Sequence, residues 1–434
     1  MTSRRQFFGG IGSVSAGALL ASRVGAQEPP ATPSLAGDLS FPAMQQALGA
    51  MYDVDRSIVN FDAAYYGAMT RRVHAAYLDR LAWLNRHNST FLRDNVAGAP
   101  RDEMIDASRQ VVADMIGARL QEVALCAGGT EGLYALIANY ALLQPGDAVL
   151  YCDTDYDEMQ YAVDYLRGSR GAEVVRFTLP EPHSRANVLA AYEQALARTP
   201  RARLLLLTHV SNRNGLIPPV REIVAMAKAR GVDVILDSAQ AVGQMPFDVA
   251  ETGADFIGFS LHKWVAAPLG TGAIYIREGR LADIQPWLGN RIHAATDIRA
   301  RIPTGTVDLA ARLTIPTAVA VQNDIGLQRK SDHLKALRNH WVEQVRDMPG
   351  VELMLPDEPG NHGAISAFRL PGTASIDRAR AAQALFAQKH RLLLVAKAGL
   401  ASGAVLRVTP GLFNTTQELD RLVAAIRQEH ATFA

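Results

Sequence analysis

From about Arg101 onward, short apolar runs alternate with longer amphipathic segments, and this alternation most restricts the fold. Seven runs are strand candidates: EVALCAG, AVLYCD, EVVRFTL, RLLLLTHV, DVILD, DFIGFS and AIYIRE. Residues 131–143, 187–198 and 220–230 have the spacing of amphipathic helices between such runs. Continuous apolar strands joined by helices are typical of a mostly parallel sheet covered on both faces. The sequence therefore predicts an α/β fold with a seven-stranded, mostly parallel sheet.

The pattern changes at about Ala318, where a long helix is predicted to run through Met348. Short strands and the closing helix TTQELDRLVAAIRQEH follow, and Thr415 with Glu418 has the spacing of a capping box. A chain of 434 residues is long enough for two domains. We therefore predict a large domain over 65–317 and a smaller α+β domain over 318–434.

The N-terminus has the composition of an export signal. Paired arginines in Ser3-Arg4-Arg5-Gln6-Phe7-Phe8 precede a mildly apolar stretch and the small-residue sequence VGA, so cleavage is predicted after Ala26. This resembles the twin-arginine signal, which carries folded proteins, although an amphipathic N-terminal helix of the mature domain is the alternative. The apolar part is too short to span a bilayer. We expect residues 1–26 to engage the export machinery, 27–64 to form a leader and N-terminal segment, and the mature protein to be periplasmic with no membrane span.

Composition excludes some kinds of partner. The formal net charge is +1 and no dense Lys/Arg run is interleaved with aromatic residues, which argues against nucleic-acid binding. Two cysteines, Cys126 and Cys152, cannot form a disulfide framework or a zinc site, and no metal site is predicted. Both lie in strand candidates, which favours reduced core thiols over a bridge between them.

Polar residues follow five of the strand candidates. They are Gly128-Gly129-Thr130, Thr154-Asp155-Tyr156, Ser211-Asn212, Asp237 through Gln240, and Ser260 through Lys263. Each has a plain structural alternative: a turn, a helix cap, a packing aromatic residue or a solvated lysine. Ligands of open parallel sheets bind outside the carboxyl ends of the strands, so these residues should meet in one crevice. Together they are the set of groups that holds pyridoxal 5′-phosphate.

The chemistry of that cofactor explains the residue types. Its aldehyde forms an imine with a lysine amine, and its phosphate suits hydroxyl groups and backbone N–H groups at a helix N-terminus. A buried carboxylate keeps the pyridine nitrogen protonated, and an aromatic side chain stacks on the ring. Lys263 should have a lowered pKa there, which lets it act as nucleophile and base.

LDSAQAVGQ, followed by SLHKWVAAPLGTG, resembles the class V aminotransferase family of fold-type I pyridoxal-phosphate enzymes. HKW with APLGTG is closest to the isopenicillin N epimerase-like branch, and the resemblance extends from about Tyr65 to the C-terminus. It implies that 65–317 is the cofactor-binding domain. It also implies that Lys263 forms the Schiff base and moves the α-proton, and that Asp237 pairs with the pyridine nitrogen.

The resemblance implies further contacts. Asn212 and Gln240 approach the ring hydroxyl, Tyr156 stacks on the ring, and Arg407, in LRVTPGLFNTTQELDRLV, clamps the substrate carboxylate. The phosphate is held by Gly129, Thr130, Ser260 and His262. In PTGTVD, Thr306 reaches the phosphate of the neighbouring subunit, which implies a homodimer with shared active sites.

One departure from the family pattern narrows the range of possible reactions. Cysteine desulfurases of this group need a nucleophilic cysteine between the lysine and the arginine, and HRLLLVAKAGLASGAVLR contains none. We therefore expect an enzyme with a small-molecule substrate, acting at the α-carbon of an amino acid or amino-acyl compound. The favoured prediction is an aminotransferase. The alternatives are an epimerase, a lyase without a cysteine nucleophile and, remotely, a non-catalytic binding module. Because the chain has a predicted export signal, we expect an exported substrate such as a peptide or siderophore precursor.

Three arginines near Thr306 have two possible roles. Arg291, Arg299 and Arg301 could bind an acidic group of the substrate or form solvated surface.

Overall fold

The alternation of strands and helices predicted from the sequence is present in the computed structural model, which describes Leu35 and residues 39–93, 101–355 and 358–433. The predicted signal peptide and its arginines lie outside these residues, so the export signal and the periplasmic location stay predictions. The domain boundaries at 65 and 318 also stay predictions.

The helices of the described residues begin and end as follows. They are α1 (Phe41–Ala50), α2 (Arg71–Leu92), α3 (Arg101–Met115), α4 (Gly129–Ala138), α5 (Asp157–Arg170), α6 (Arg185–Arg198), α7 (Val220–Lys228), α8 (Val249–Thr252), α9 (Leu309–Ile325), α10 (Leu327–Val345), α11 (Ile376–His390) and α12 (Thr416–Glu429). None of these helices is long and apolar enough to span a lipid bilayer.

The strands fall into one large sheet and two small ones. They are β1 (Val59–Asn60), β2 (Val123–Cys126), β3 (Ala148–Cys152), β4 (Glu173–Phe177), β5 (Ala202–Thr208), β6 (Asp233–Asp237), β7 (Phe256–Ser260), β8 (Gly272–Ile276), β9 (Glu352–Leu353), β10 (Ser366–Arg369), β11 (Leu392–Leu393), β12 (Val395–Lys397) and β13 (Val405–Val408). The large sheet has the order β2-β8-β7-β6-β5-β3-β4. Strand β8 runs antiparallel to β2 and β7, and the other six strands all run in one direction, so the predicted seven-stranded, mostly parallel sheet is confirmed.

The large sheet is buried on both faces, which explains its continuous apolar strands. Along β5, Leu205 and Leu207 belong to one hydrophobic cluster, whereas Leu204 and Leu206 belong to another on the opposite face. Successive side chains of a strand point to opposite faces, so a strand with helices on both sides has no polar face. The carboxyl ends of β2, β3, β5, β6 and β7 consequently share one edge of the sheet.

The C-terminal part contains the four-stranded antiparallel sheet β12-β13-β10-β9 with α10, α11 and α12. The single helix expected from Ala318 to Met348 is wrong, because α9 ends at Ile325 and α10 begins at Leu327. Gly326 lies between them with a φ of +82°, a conformation that glycine adopts without steric cost. The predicted capping box of α12 is confirmed: Thr415 accepts from the Glu418 N–H, and Glu418 accepts from the Thr415 N–H.

Candidate active site

Residues from neighbouring strands of the large sheet meet at its carboxyl edge. Ser260 ends β7, Asp237 ends β6, and Asn212 lies beyond the end of β5. Gly129 opens α4 directly after β2, and Tyr156 precedes α5 after β3. The topology therefore brings residues from all five predicted strand ends to one edge of the sheet.

The N-terminus of α4 packs closely on the end of β7. The Gly129 N–H donates to Ser260 Oγ at 3.0 Å, and a Cβ on Gly128 would lie 3.0 Å from the His262 ring. His262 Nδ1 lies 2.9 Å from the Thr271 carbonyl oxygen, which requires a proton on Nδ1. Gly129, Thr130, Ser260 and His262 thus form a group of hydroxyl, imidazole and helix N-terminus, which is suited to an anion.

Lys263 and Asp237 interact inside the site. Burial lowers the pKa of Lys263, with a smaller lowering effect from Arg407, while Asp237 opposes the shift. Burial raises the pKa of Asp237, and Lys263 opposes that shift. Asp237 is 4% exposed, and its Oδ1 accepts the Ala239 N–H at 2.9 Å. The site therefore contains an amine driven toward its neutral form and a carboxylate that benefits from a nearby positive charge.

Tyr156 and Asn212 lie at the same edge of the sheet, beyond the ends of β3 and β5. Tyr156 is half-buried, and its pKa is raised first by burial and then by surrounding acids that include Asp237. The Oδ1 atom of Asn212 is buried without a hydrogen-bond partner among the described residues. A buried carbonyl oxygen of this kind is costly unless a ligand donates to it.

Two residues predicted to contact the cofactor, Gln240 and Thr306, are not shown in such a position by this structure. The amide of Gln240 accepts from Trp264 Nε1 at 2.8 Å and donates to the Ala64 carbonyl oxygen at 2.9 Å. Gln240 therefore supports the backbone around the site, and its predicted approach to a ring hydroxyl depends on its one remaining N–H. Thr306 is exposed on this protomer. Its predicted contact with the phosphate in a neighbouring subunit stays a prediction, as does the homodimer.

The segment that carries Lys263 is held at successive carbonyl groups. The carbonyl of His262 accepts from the Gly67 N–H at 2.8 Å, and that of Lys263 accepts from the Ala266 N–H at 3.1 Å. A Cβ on Gly67 would collide with the Lys263 carbonyl oxygen, so only glycine fits there. Ala266 has a φ of +56°, which costs a non-glycine residue energy.

Two long-range side chains complete this support. The Trp264 carbonyl accepts from Lys330 Nζ, and the Val265 carbonyl accepts from Gln322 Nε2 at 3.0 Å. Lys330 also donates to Gln322 Oε1 at 2.7 Å, and burial lowers the pKa of Lys330 to about 7. A neutral amine has two N–H groups, which match these two acceptors. Residues distant in sequence therefore fix the backbone that follows Lys263.

Replacing Lys330 with methionine should slow the reaction of the predicted cofactor with an amino compound by about 10- to 100-fold, because the Lys263 segment loses its support and small displacements of a reacting group slow catalysis strongly. The measurement is the stopped-flow rate of change in cofactor absorption. Lys335→Met, on the same helix, is the matched control and should react at the wild-type rate. A wild-type rate in Lys330→Met would contradict this role.

The same lysine should affect stability in a pH-dependent way. Its pKa is about 7 when folded and 10.5 ordinarily, so unfolding takes up a proton between these values. The stability of the wild type should therefore rise relative to Lys330→Met as pH increases from about 7 toward 10, and should not change below that window. Thermal melts across this range measure the difference.

Arg407 lies in the site, together with a residue that the sequence did not indicate. Arg407 is 2% exposed, and it donates to the Asn212 carbonyl oxygen at 2.8 Å and to the Asp62 carboxylate. Asp62 belongs to the segment predicted as leader and N-terminal region. Strand β1, just before it, pairs with β11, and Asp62 bridges to Thr409. The pairing joins distant segments, so no local pattern could have revealed it.

Two of the three arginines near Thr306 make contacts within their own loop or with neighbouring backbone. Arg299 binds Asp297 through two nitrogens, at 2.9 and 2.6 Å. Arg301 is 3% exposed and donates to backbone carbonyl groups, including that of Ile284 at 2.7 Å. Arg291 is exposed. Arg299 and Arg301 therefore hold their own loop.

The arrangement fits pyridoxal 5′-phosphate. The α4 N-terminus with Ser260 and His262 suits a phosphate, Asp237 suits a protonated pyridine nitrogen, and the unpartnered Asn212 oxygen suits a donor. Lys263 supplies the amine. Among the described residues, no group of His, Cys, Asp or Glu side chains could hold a metal ion.

Comparison with known proteins agrees with this fit. The family model for aminotransferase class V matches residues 82–422. Isopenicillin N epimerase from Streptomyces clavuligerus is 29% identical over 400 residues, which cover 88% of this chain and 97% of that protein.

Two solved structures share the fold. The cysteine desulfurase CsdA from Escherichia coli has a TM-score of 0.75 at 22% identity, covering 90% of this chain and 98% of that one. A variant of C-DES, with glycine covalently linked to its pyridoxal-phosphate cofactor, has a TM-score of 0.72 at 18% identity and covers 86% and 96%. With the family model matching well over half of its residues, the chain belongs to the class V aminotransferase family, and its cofactor is pyridoxal 5′-phosphate.

Proposed function

We propose that this protein acts at the α-carbon of an amino acid or amino-acyl compound, and that it transfers the amino group. The observation that carries the proposal is the position of Lys263 and the buried Asp237 at the ends of adjacent strands, close enough to affect each other's pKa, together with the buried Arg407. The α-carbon chemistry of an amino compound needs these three groups: a base, a carboxylate for the pyridine nitrogen and a cation for the substrate carboxylate.

Each residue has a distinct task in this proposal. When bound, pyridoxal 5′-phosphate would supply electron withdrawal at the α-carbon of the substrate. Lys263 Nζ takes the α-proton, which its lowered pKa favours. Arg407 holds the substrate carboxylate, and Asp62 with the Asn212 carbonyl holds Arg407 in place. Tyr156, half-buried just before α5, would contact the ring of the cofactor.

The phosphate end has its own residues. The N-terminus of α4 at Gly129 and Thr130, with Ser260 and His262, would hold the phosphate. Burial and the Lys263 charge lower the pKa of His262, and a phosphate dianion nearby would oppose this shift and favour a proton on Nε2 that could be donated to it. Anchoring there leaves the opposite end of the cleft, around Arg407, for the substrate.

The cysteines do not support persulfide chemistry, although the CsdA structure is that of a cysteine desulfurase. Cys126 is 1% exposed within β2, and burial raises its pKa to about 12. Cys152 is fully buried within β3, and burial raises its pKa well above the ordinary value. A nucleophilic cysteine needs access and a low pKa, and neither thiol has them.

Epimerisation is the second candidate. The observation that favours it is the match to an isopenicillin N epimerase over 97% of that protein's length. Epimerisation requires a second proton-transfer group on the face of the α-carbon away from Lys263. A third possibility, side-chain elimination by a lyase, differs from both reactions in releasing ammonia.

One experiment separates these reactions. The holoenzyme is mixed with single amino compounds, both free and N-terminal in peptides, and its visible spectrum and products are followed. Transamination should convert the cofactor to its amino form and release one oxo acid per site, with turnover only when an oxo acid is added. Inversion of configuration without oxo acid would show epimerisation instead, and continuous ammonia release would show a lyase. A colourless protein that stays colourless with added cofactor would overturn the proposal.

A further inference from the structure

A lysine that the proposed mechanism does not use lies near the substrate end of the site. Lys397 ends β12 and is partly buried. Within the described part of the chain, its ammonium group makes no hydrogen bond or ion pair. A partly buried cation without a counter-ion is unfavourable, because burial removes water and nothing replaces it. An anionic ligand that binds Lys397 would remove this cost.

The register of the small sheet places Lys397 beside Arg407. Strands β12 and β13 are antiparallel, with Val395 opposite Arg407 and Lys397 opposite Val405. Residues two apart on a strand share a face, so Lys397 and Arg407 are diagonal neighbours on the same face, with their side chains starting roughly 7–8 Å apart. Both side chains can therefore reach one small ligand.

The residues that follow Lys397 contact another buried arginine. The Ala398 carbonyl accepts from Arg213, and Gly399 packs against the Arg213 guanidinium with a φ of +105°. Arg213 is 1% exposed and binds Asp157 at 2.6 Å, directly after Tyr156. Lys397 is consequently placed between the substrate end of the site and the loop that carries Tyr156.

The group around Lys397 contains more positive than negative side chains. Arg407 is paired with Asp62, and Arg213 is paired with Asp157, whereas Lys397 has no acid of its own. Burial and then Arg407 lower the pKa of Lys397 to about 8, while Asp62 and Asp157 act in the opposite direction. The group thus has three cations and two carboxylates, and an added anion would stabilise it.

We propose that Lys397 binds a second acidic group of the substrate, so that the protein acts on amino compounds carrying an acidic group besides the α-carboxylate. This rests on the proposed function, in which Arg407 takes the α-carboxylate. Because the two side chains start roughly 7–8 Å apart on one face of the sheet, Lys397 and Arg407 can each hold a separate acidic group of one substrate. Arg299 and Arg301 are committed to their own loop and Arg291 is exposed, whereas Lys397 is partly buried on the same sheet face as Arg407.

The test compares amino acids that differ only in charge. Glutamate is paired with glutamine, and aspartate with asparagine, and each is titrated against the holoenzyme with visible absorption as the binding signal. The wild type should bind the acidic member of at least one pair about 10- to 100-fold more tightly, as expected for a charge-assisted hydrogen bond. In Lys397→Met this preference should disappear, while binding of the amide is unchanged.

Two further variants make the result specific. Lys397→Arg should keep most of the preference, because it retains the charge, and Lys335→Met should behave as the wild type. Equal binding of acids and amides by the wild type, or no binding of either, would overturn the proposal. Equal weakening of both members in Lys397→Met would assign Lys397 to the α-carboxylate instead. Loss of turnover that arginine does not restore, with binding intact, would make it a proton-transfer group and would also overturn the proposal.

The result is distinguishable from failure of the proposed function. If some amino compound changes the spectrum and yields product but acidic members are not preferred, the proposed function survives and the Lys397 proposal fails. If no amino compound changes the spectrum, both fail.

Discussion

Replacing Lys263 with alanine should abolish covalent attachment of the cofactor and reduce turnover by at least about 10³-fold. In the proposed function, the amine of Lys263 is both the nucleophile that attaches the cofactor and the base that takes the α-proton. Loss of a general base alone costs about 10²- to 10⁴-fold. The measurement is borohydride reduction followed by mass analysis. The wild type should carry the cofactor on the peptide that contains Lys263, and the variant should carry none.

The structure supplies controls for this experiment. Lys330 and Lys397 are the other buried or partly buried amines near the site with lowered pKa values, so each could compete for the aldehyde. Lys330→Met and Lys397→Met should retain covalent cofactor on Lys263. Equal fixation of cofactor in Lys263→Ala would show that another lysine is the attachment point. Added methylamine should restore part of the Lys263→Ala turnover, since it supplies the missing base.

The sequence was informative about this site because its main residues stand directly after buried strands. The carboxyl ends of parallel strands share an edge, so the strand pattern alone predicts that Asp237, at the end of β6, lies near the Ser260–Lys263 stretch, which begins at the end of β7. The seven strands themselves followed from apolar runs, which are continuous because both sheet faces are covered.

What the sequence did not reveal depends on contacts between distant segments. Asp62 reaches Arg407 because β1 pairs with β11, and Lys330 reaches Trp264 because α10 packs behind the Lys263 segment. Such contacts leave no periodic signal in a single sequence. Gln240 illustrates a different limit: its position at the edge was predictable, but its amide is largely used by Trp264 and Ala64. Position after a strand indicates proximity to a site and does not by itself assign the hydrogen bonds.

Replacing Asp237 with asparagine should leave the cofactor covalently bound through Lys263 but slow its reaction with amino compounds by about 10²- to 10³-fold. The substitution keeps the size of the side chain and removes its negative charge. A buried carboxylate opposite a protonated pyridine nitrogen stabilises the charge on which electron withdrawal from the α-carbon depends, and removing one preorganised interaction of this kind typically costs that much. The measurement is the stopped-flow rate of change in cofactor absorption, together with the amount of covalent cofactor after borohydride.

The same strand offers a matched control. Asp233 lies at the opposite end of β6, where it binds Arg280 at 2.8 Å and Tyr140, far from the carboxyl edge. Asp233→Asn should lower thermal stability, because it weakens that partly buried network, and should keep the wild-type reaction rate. Asp237→Glu should recover part of the rate, since it restores the charge at a displaced position. If Asp237→Asn reacts as fast as the wild type, the carboxylate does not act on the cofactor, and its burial beside Lys263 serves only to shift the pKa of that amine.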